Sequence, residues 1–230
     1  LRGTYKFKTL GSAKGQTIDV AVGDDVNELL AAATDEIVTL VFNGGNTYEV
    51  GRVSLPATIK NVYFSGKMVN GVRPELKMPA FSINSRTENI NFQYVDIDDE
   101  MKNAFWFDMR SADGFDNINF EGCIIRNIPR SLVFISNGNA EVNNISINNC
   151  IVNNVGTSGY GMINVGGAKS INMITITNST LMEIGDQMMD LRAQADMFKV
   201  DRCVFCNYTT KLQKWILATK TPQEAQGTNM

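Results

Sequence analysis

Two matched pairs of carboxylate and guanidinium are the residues of this chain best suited to chemistry. Phe107-Asp108-Met109-Arg110 and Met189-Asp190-Leu191-Arg192 share an apolar-Asp-apolar-Arg pattern. On a strand, that pattern sends Asp and Arg to one face and the apolar residues to the other. Carboxylate and guanidinium groups suit sugar hydroxyls, and two carboxylates can cleave a glycosidic bond when they stand about 5–5.5 Å apart (retaining) or about 6.5–9.5 Å apart (inverting). Trp106, Asn137, Tyr160 and Asn164 fall near these pairs, adding rings for pyranose faces and amides for hydroxyls. A second acidic group, Asp96, Asp98, Asp99 and Glu100, has the density of hard oxygen ligands, and Ca²⁺ is the ion it would suit. Cys203-x-x-Cys206 has the spacing of a metal or redox pair.

Composition removes several alternatives. Histidine is absent, which excludes Ser-His-Asp and Cys-His nucleophiles, His-bound zinc and the usual general base near neutral pH. The formal net charge is -3 with no Lys/Arg run, so no nucleic-acid partner is expected. No apolar run approaches the roughly 18 residues that would cross a bilayer, and no transmembrane segment is expected. A chain of 230 residues that is 43% hydrophobic can bury a large core. The start at Leu1 fits a processed or excised product, and a monomer is expected.

What must position the candidate residues is a repeat. Asn61-Val62-Tyr63-Phe64, Asn89-Ile90-Asn91-Phe92, Asn117-Ile118-Asn119-Phe120, Asn144-Ile145-Ser146-Ile147, Met173-Ile174-Thr175-Ile176 and Met197-Phe198-Lys199-Val200 recur at intervals of 24 to 29 residues, a solenoid period. Each copy alternates apolar with polar residues, as a strand with one face in a core does. Three positions after the last residue of a copy stand Val95, Cys123, Cys150, Ser179 and Cys203, and two further on Ile97, Ile125, Val152, Leu181 and Phe205. Columns that stay small or apolar in successive repeats place one strand position above itself in a shared interior, which parallel coils do. A third strand follows in each repeat: Phe105–Phe107, Val133–Ile135, Met162–Val165, Met188–Leu191 and Trp215–Leu217. A further column, Asp99, Asn127, Asn154, Glu183 and Asn207, reads as a corner where stacked Asn tolerates left-handed backbone and bonds its own kind one strand away.

The fold expected is therefore all-β, a right-handed parallel β-helix with three strands per coil and about five to six coils. Residues 1–23 are read as a lead-in strand, 24–36 as a helix covering the open end of the core, 37–218 as the β-helix and 219–230 as a polar tail. Asp25 is the expected N-cap, with Glu28 three residues on and Val26, Leu29, Leu30 and Ala33 on one face. Because the apolar columns run to the last coil and no cover follows, the natural chain is expected to continue beyond Met230.

The order of capping helix, apolar strand Ile37–Phe42, turn Asn43-Gly44-Gly45-Asn46 and Thr47-Tyr48 resembles the start of the pectate-lyase-like β-helices. The resemblance runs from about residue 24 to 217 and is closest to uncharacterised β-helix domains on surface lipoproteins of glycan-degrading gut anaerobes. It implies an extracellular or cell-surface location and a polysaccharide or oligosaccharide partner. The superfold hosts lyases and hydrolases as well as non-catalytic binders. Relatives that cleave acidic polysaccharide hold Ca²⁺ between carboxylates on neighbouring coils. Here the coils after Asp96 place Ile124, Ile151, Thr180 and Val204, and those after Asp98 place Arg126, Asn153, Met182 and Cys206. No carboxylate ladder is visible, and a solvated turn with an Asp98–Arg126 contact is preferred to a metal site, so no cofactor is expected. Asp108 and Asp190 lie three coils apart with Ile135, Asn137, Asn164 and Gly166 placed between them, hence about 14 Å, too far for a glycosidase pair. Each is expected to pair with its own Arg. Cys203 should face inward with Cys123 and Cys150, and Cys206 outward, which dissolves the CxxC pair. The eleven Met read as core filling. Trp106, Asp108, Arg110, Asn137, Asn164, Asp190 and Arg192 remain the candidate ligand-binding strip. The expected function is a non-catalytic module that binds or presents complex carbohydrate; the alternative is a polysaccharide lyase or glycoside hydrolase.

Overall fold

The structure, a computed structural model, describes residues 15–102, 105–110, 113–185, 187–192 and 195–207. The third strand expected at Trp215–Leu217 and the tail at 219–230 lie outside the described residues. Three parallel sheets of eight, seven and six strands form a β-solenoid of about six turns. Sheet 1 runs from Gln16–Val20 through Ile37–Asn43, Asn61–Lys67, Thr87–Gln93, Gly114–Glu121, Glu141–Asn148 and Ser170–Thr177 to Ala195–Asp201. Sheet 2 begins at Thr47–Tyr48 and Glu75–Lys77 and ends at Val204–Cys206; sheet 3 begins at Arg52–Leu55 and Ala80–Ile83 and ends at Gln187–Leu191.

The sequence repeat is the sheet register. Phe64 pairs with Phe92, Phe92 with Phe120, Phe120 with Ile147, Ile147 with Ile176 and Ile176 with Val200. On sheet 2, Ile97, Ile125, Val152, Leu181 and Phe205 pair in the same way. Every turn therefore presents its apolar positions to one interior, where side chains such as Phe92 and Ile147 are fully buried, each stabilising by about 1.5–3 kcal/mol. The rings of Phe42, Phe64, Phe92 and Phe120 stack at centroid distances of 6.1, 4.8 and 5.3 Å, and Phe81 and Trp106 from sheet 3 close against them at 5.7 and 5.1 Å from Phe92. At the last turn the packing loosens. Val200 and Cys203 are half-buried, while Val204 and Phe205 are exposed.

The first end of the core is covered as expected, by a helix shorter than 24–36. Val26–Ala31 is helical, Asp25 accepts from the backbone N–H of Asn27 and Glu28, and Val26 and Leu30 are buried. Corners hold the left-handed residues. Asn127, Asn154, Glu183 and Asn207 have φ of 60, 57, 50 and 54°, and the Asn154 amide donates to Asn127 at 2.9 Å. Core filling holds for Met78, Met109, Met162, Met188 and Met189, but Met68, Met101 and Met197 are exposed, because each sits on a turn or on an outward strand position. Among the described residues no helix is long and apolar enough to cross a membrane.

Candidate functional site

On sheet 3 the register row is Asp108, Phe134, Asn164, Asp190. Phe134 thus takes the outward place expected for Ile135, which is buried in the core. The separation of Asp108 from Asp190 stays at three strand spacings, about 14 Å. Each carboxylate is bound by the Arg two residues on, Asp108 to Arg110 at 2.8 Å and Asp190 to Arg192 at 3.1 Å. Asn164 is 2% exposed and donates to Asp190, itself 8% exposed, at 3.4 Å. Asn137 closes a turn, accepting from the N–H of Asn139 on its side chain and of Ala140 on its carbonyl. Trp106 is not on the strip at all: its ring is fully buried and its Nε1–H donates to the Met78 carbonyl at 2.7 Å. The aromatic character of this face comes from Phe105, stacked on Phe134 at 4.0 Å and edge-on to Tyr160 at 5.2 Å. Arg110 lies 5.4 Å over Phe134 and Arg130 4.7 Å over Tyr160. The expected strip is thus a set of closed pairs, with rings under guanidinium groups and carboxylates on their own arginines.

The acidic run on sheet 2 is organised by Arg126. Its guanidinium reaches Asp98 at 2.9 Å, Asp96 at 3.0 Å and Glu75 at 2.5 Å. Glu75 stacks directly below Asp96, a carboxylate pair on adjacent coils that lies in the preceding turn, opposite to the direction in which the sequence columns extend. Arg126 occupies the space between these carboxylates, while Lys77 and Lys102 pair with Glu100. Burial, with Glu75 and Asp98 alongside, outweighs Arg126 and raises the Asp96 carboxyl above the ordinary aspartate value. Two lysines hold the half-buried Glu100 below the usual glutamate value. Among the described residues no three acidic or thiol groups converge to hold a metal. Cys123 and Cys150 are buried in the core, burial pushing the Cys150 thiol well up. Cys206 contacts the Leu181 carbonyl, whereas Cys203 contacts those of Ile176 and Asp201.

The outer face of sheet 1 is different. A groove of about 570 Å³ runs across it, lined chiefly by Asn91, Asn119, Glu121, Asn148, Thr177 and Arg202. Apart from Arg202, in the turn after Ala195–Asp201, these residues are the outward positions of neighbouring strands in register, Asn91 with Asn119 and Glu121 with Asn148 and Thr177. Amides link them along the axis. Asn144 donates to Asn119 at 3.4 Å, Asn119 donates to Asn91 at 2.9 Å, and the Nδ2 of Asn91, a residue 6% exposed, has no partner. Asn148 donates to Glu121 and accepts from Thr177 and Asn178, all within 2.8 Å. Lys199 and Arg202 reach Asp201 at the far end, at 3.6 and 3.3 Å. The surface offers amide and hydroxyl donors and acceptors with one carboxylate in its middle, a mix that suits a neutral or weakly charged polyhydroxyl ligand. The Asn-rich repeat signals these rows; the depth between them is a property of packing that no single column carries.

Residues 46–184 match the family model described as a domain of unknown function, DUF4957. The chain belongs to that family. No curated protein and no solved structure matches it. The DUF4957 span holds Asn91, Asn119, Glu121, Asn148, Thr177 and Asn178, so most of the sheet 1 groove lies within it, whereas Asp190 and Arg192 on sheet 3 lie beyond it.

Proposed function

We propose that this chain is a non-catalytic carbohydrate-binding module of the pectate-lyase-like, right-handed β-helix kind, displayed on the cell surface or secreted, and that it holds an extended glycan in the groove on sheet 1. The observation that carries this is the groove itself: amides and hydroxyls from successive turns stand in rows, with the Glu121 carboxylate among them. Glu121 and Asp201 stand in the same row three strand spacings apart, so among the described residues this row offers no close carboxylate pair of the kind that glycoside hydrolysis uses. Surface display and attachment as a lipoprotein rest on the family resemblance. A glycan array followed by incubation with polygalacturonate, xylan and mannan tests the proposal. Binding without new reducing or unsaturated ends is expected, weakened by Asn119→Ala. Release of such ends, abolished by Glu121→Gln, would replace the binding module with a lyase or hydrolase.

A further inference from the structure

The turn from sheet 1 to sheet 2 is made by one left-handed residue per coil: Tyr94, Gly122, Asn149, Asn178 and Arg202, with φ between 51 and 62°. Gly and Asn are what such a position favours, and Tyr94 and Arg202 are the two bulky residues of the row. Tyr94 is the aromatic member, and the backbone hydrogen bonding of the turn does not call for it, since its N–H donates to the Glu121 carbonyl just as that of Gly122 donates to Asn148.

The ring has a built seat. A Cβ placed on Gly122 would stand 2.6 Å from the Tyr94 ring, so Gly122 is the residue that lets the ring approach the next turn this closely. Arg73 donates from Nε to the Gly122 carbonyl at 2.9 Å, fixing that seat from outside. Tyr94 remains 39% exposed. Its neighbours in sequence and in space border the groove: Gln93 precedes it, Glu121 precedes its seat, and Asn178 and Arg202 in its own turn row line the groove further along.

We infer that Tyr94, seated on Gly122, is the stacking platform at the first end of the groove, taking the apolar face of one pyranose ring while the amide rows take hydroxyls of the sugars that follow. The assignment rests on the glycan-binding function proposed above and names the residue that selects a ring-shaped unit at one end of the chain. It places the glycan parallel to the solenoid axis, running from Tyr94 towards Arg202.

Affinity electrophoresis of the full chain in gels containing polygalacturonate, xylan or mannan, with melting curves alongside, tests it. Tyr94→Asn puts a residue suited to left-handed backbone at this position and should melt within a few degrees of the parent chain, yet bind about tenfold more weakly. Gly122→Asn keeps the turn chemistry of Asn149 and Asn178 and displaces the ring, so it should lose affinity to the same degree. Tyr94→Phe should bind as the parent does, and Tyr94→Leu, which keeps apolar bulk without a flat face, should not. Should either Asn variant melt far below the parent, the Phe and Leu pair decides. Retention of full affinity by Tyr94→Asn, or by Tyr94→Leu, overturns the platform and leaves glycan binding by the groove standing. Failure of the parent chain to be retarded in any of the three gels overturns both.

Discussion

The outer faces of sheets 1 and 3 come from the same three-strand repeat, yet they satisfy their polar groups in different ways. On sheet 3 opposite charges sit two residues apart on one strand, so Asp108 meets Arg110 and Asp190 meets Arg192 within their own turn. On sheet 1 Lys199 and Asp201 pair in the same way at the far end, but the rows of the groove are mostly amides and hydroxyls whose partners lie on the next strand, as Asn119 finds Asn91 and Thr177 finds Asn148. Charges close on each other locally and leave little to offer. Amides pair in one direction only and pass an unmet donor to the end of the row, here at Asn91.

The contrast can be broken most severely from the inside, which both faces share. Phe92→Ala removes a ring stacked between Phe64 and Phe120 and should cost about 3–5 kcal/mol in denaturant unfolding, with affinity lost only as the fold is lost. Arg126→Ala leaves Asp96 and the nearly buried Asp98 without their cation and should cost about 2–3 kcal/mol; an unchanged unfolding midpoint would show the carboxylates to be solvated. The same cluster gives a pH test. Because the folded-state value of Asp96 is raised, its contribution to stability is greatest below the unfolded aspartate value of about 3.9 and declines as pH rises through the folded value. The stability of the parent chain relative to Asp96→Asn should therefore fall from pH 4 to pH 7, as urea titrations at several pH values would record.

Smaller effects separate the two faces directly. Asn119→Ala breaks both links of the amide row and should cost about 1 kcal/mol together with a loss of glycan affinity. That is more than a simple outward residue such as Thr175 should cost, about 0.5 kcal/mol or less. Arg110→Ala on sheet 3, with its side chain 60% exposed, should change stability by no more than about 0.5 kcal/mol and glycan binding on sheet 1 not at all. A loss of affinity in Arg110→Ala equal to that in Asn119→Ala would move the ligand to the other face.

What the sequence made legible follows from what a repeat encodes. The inward columns are fixed by apolarity at every turn, so Phe64 to Val200 and Ile97 to Phe205 align without correction. Sheet 3 is less regular: Trp106 turns inward just ahead of Phe107, where strict alternation would send it outward, and that local break takes Trp106 off the strip, whereas Phe134 enters it by register, opposite Asp108. Glu75 escaped notice because its strand, Glu75–Lys77, is three residues long and carries too little alternation to be seen. The groove was hidden for another reason, since depth depends on how far adjacent rows stand apart. Tyr94 had a signal after all, as the one aromatic residue in a turn column otherwise made of Gly, Asn and Arg.

The in-register stacking of sheet 1 also makes its surface a ruler. Rows such as Gln93, Glu121, Asn148 and Thr177 recur at the inter-strand interval of about 4.8 Å, a spacing comparable with the advance of one sugar unit along an extended chain. A periodic polymer laid along such a face meets equivalent groups at each step, so contacts that are weak singly add within one molecule, and affinity grows with chain length up to the number of turns available. Discrimination then arises from commensurability: a polymer whose repeat drifts against the turns loses alignment cumulatively, even where each of its units would fit alone.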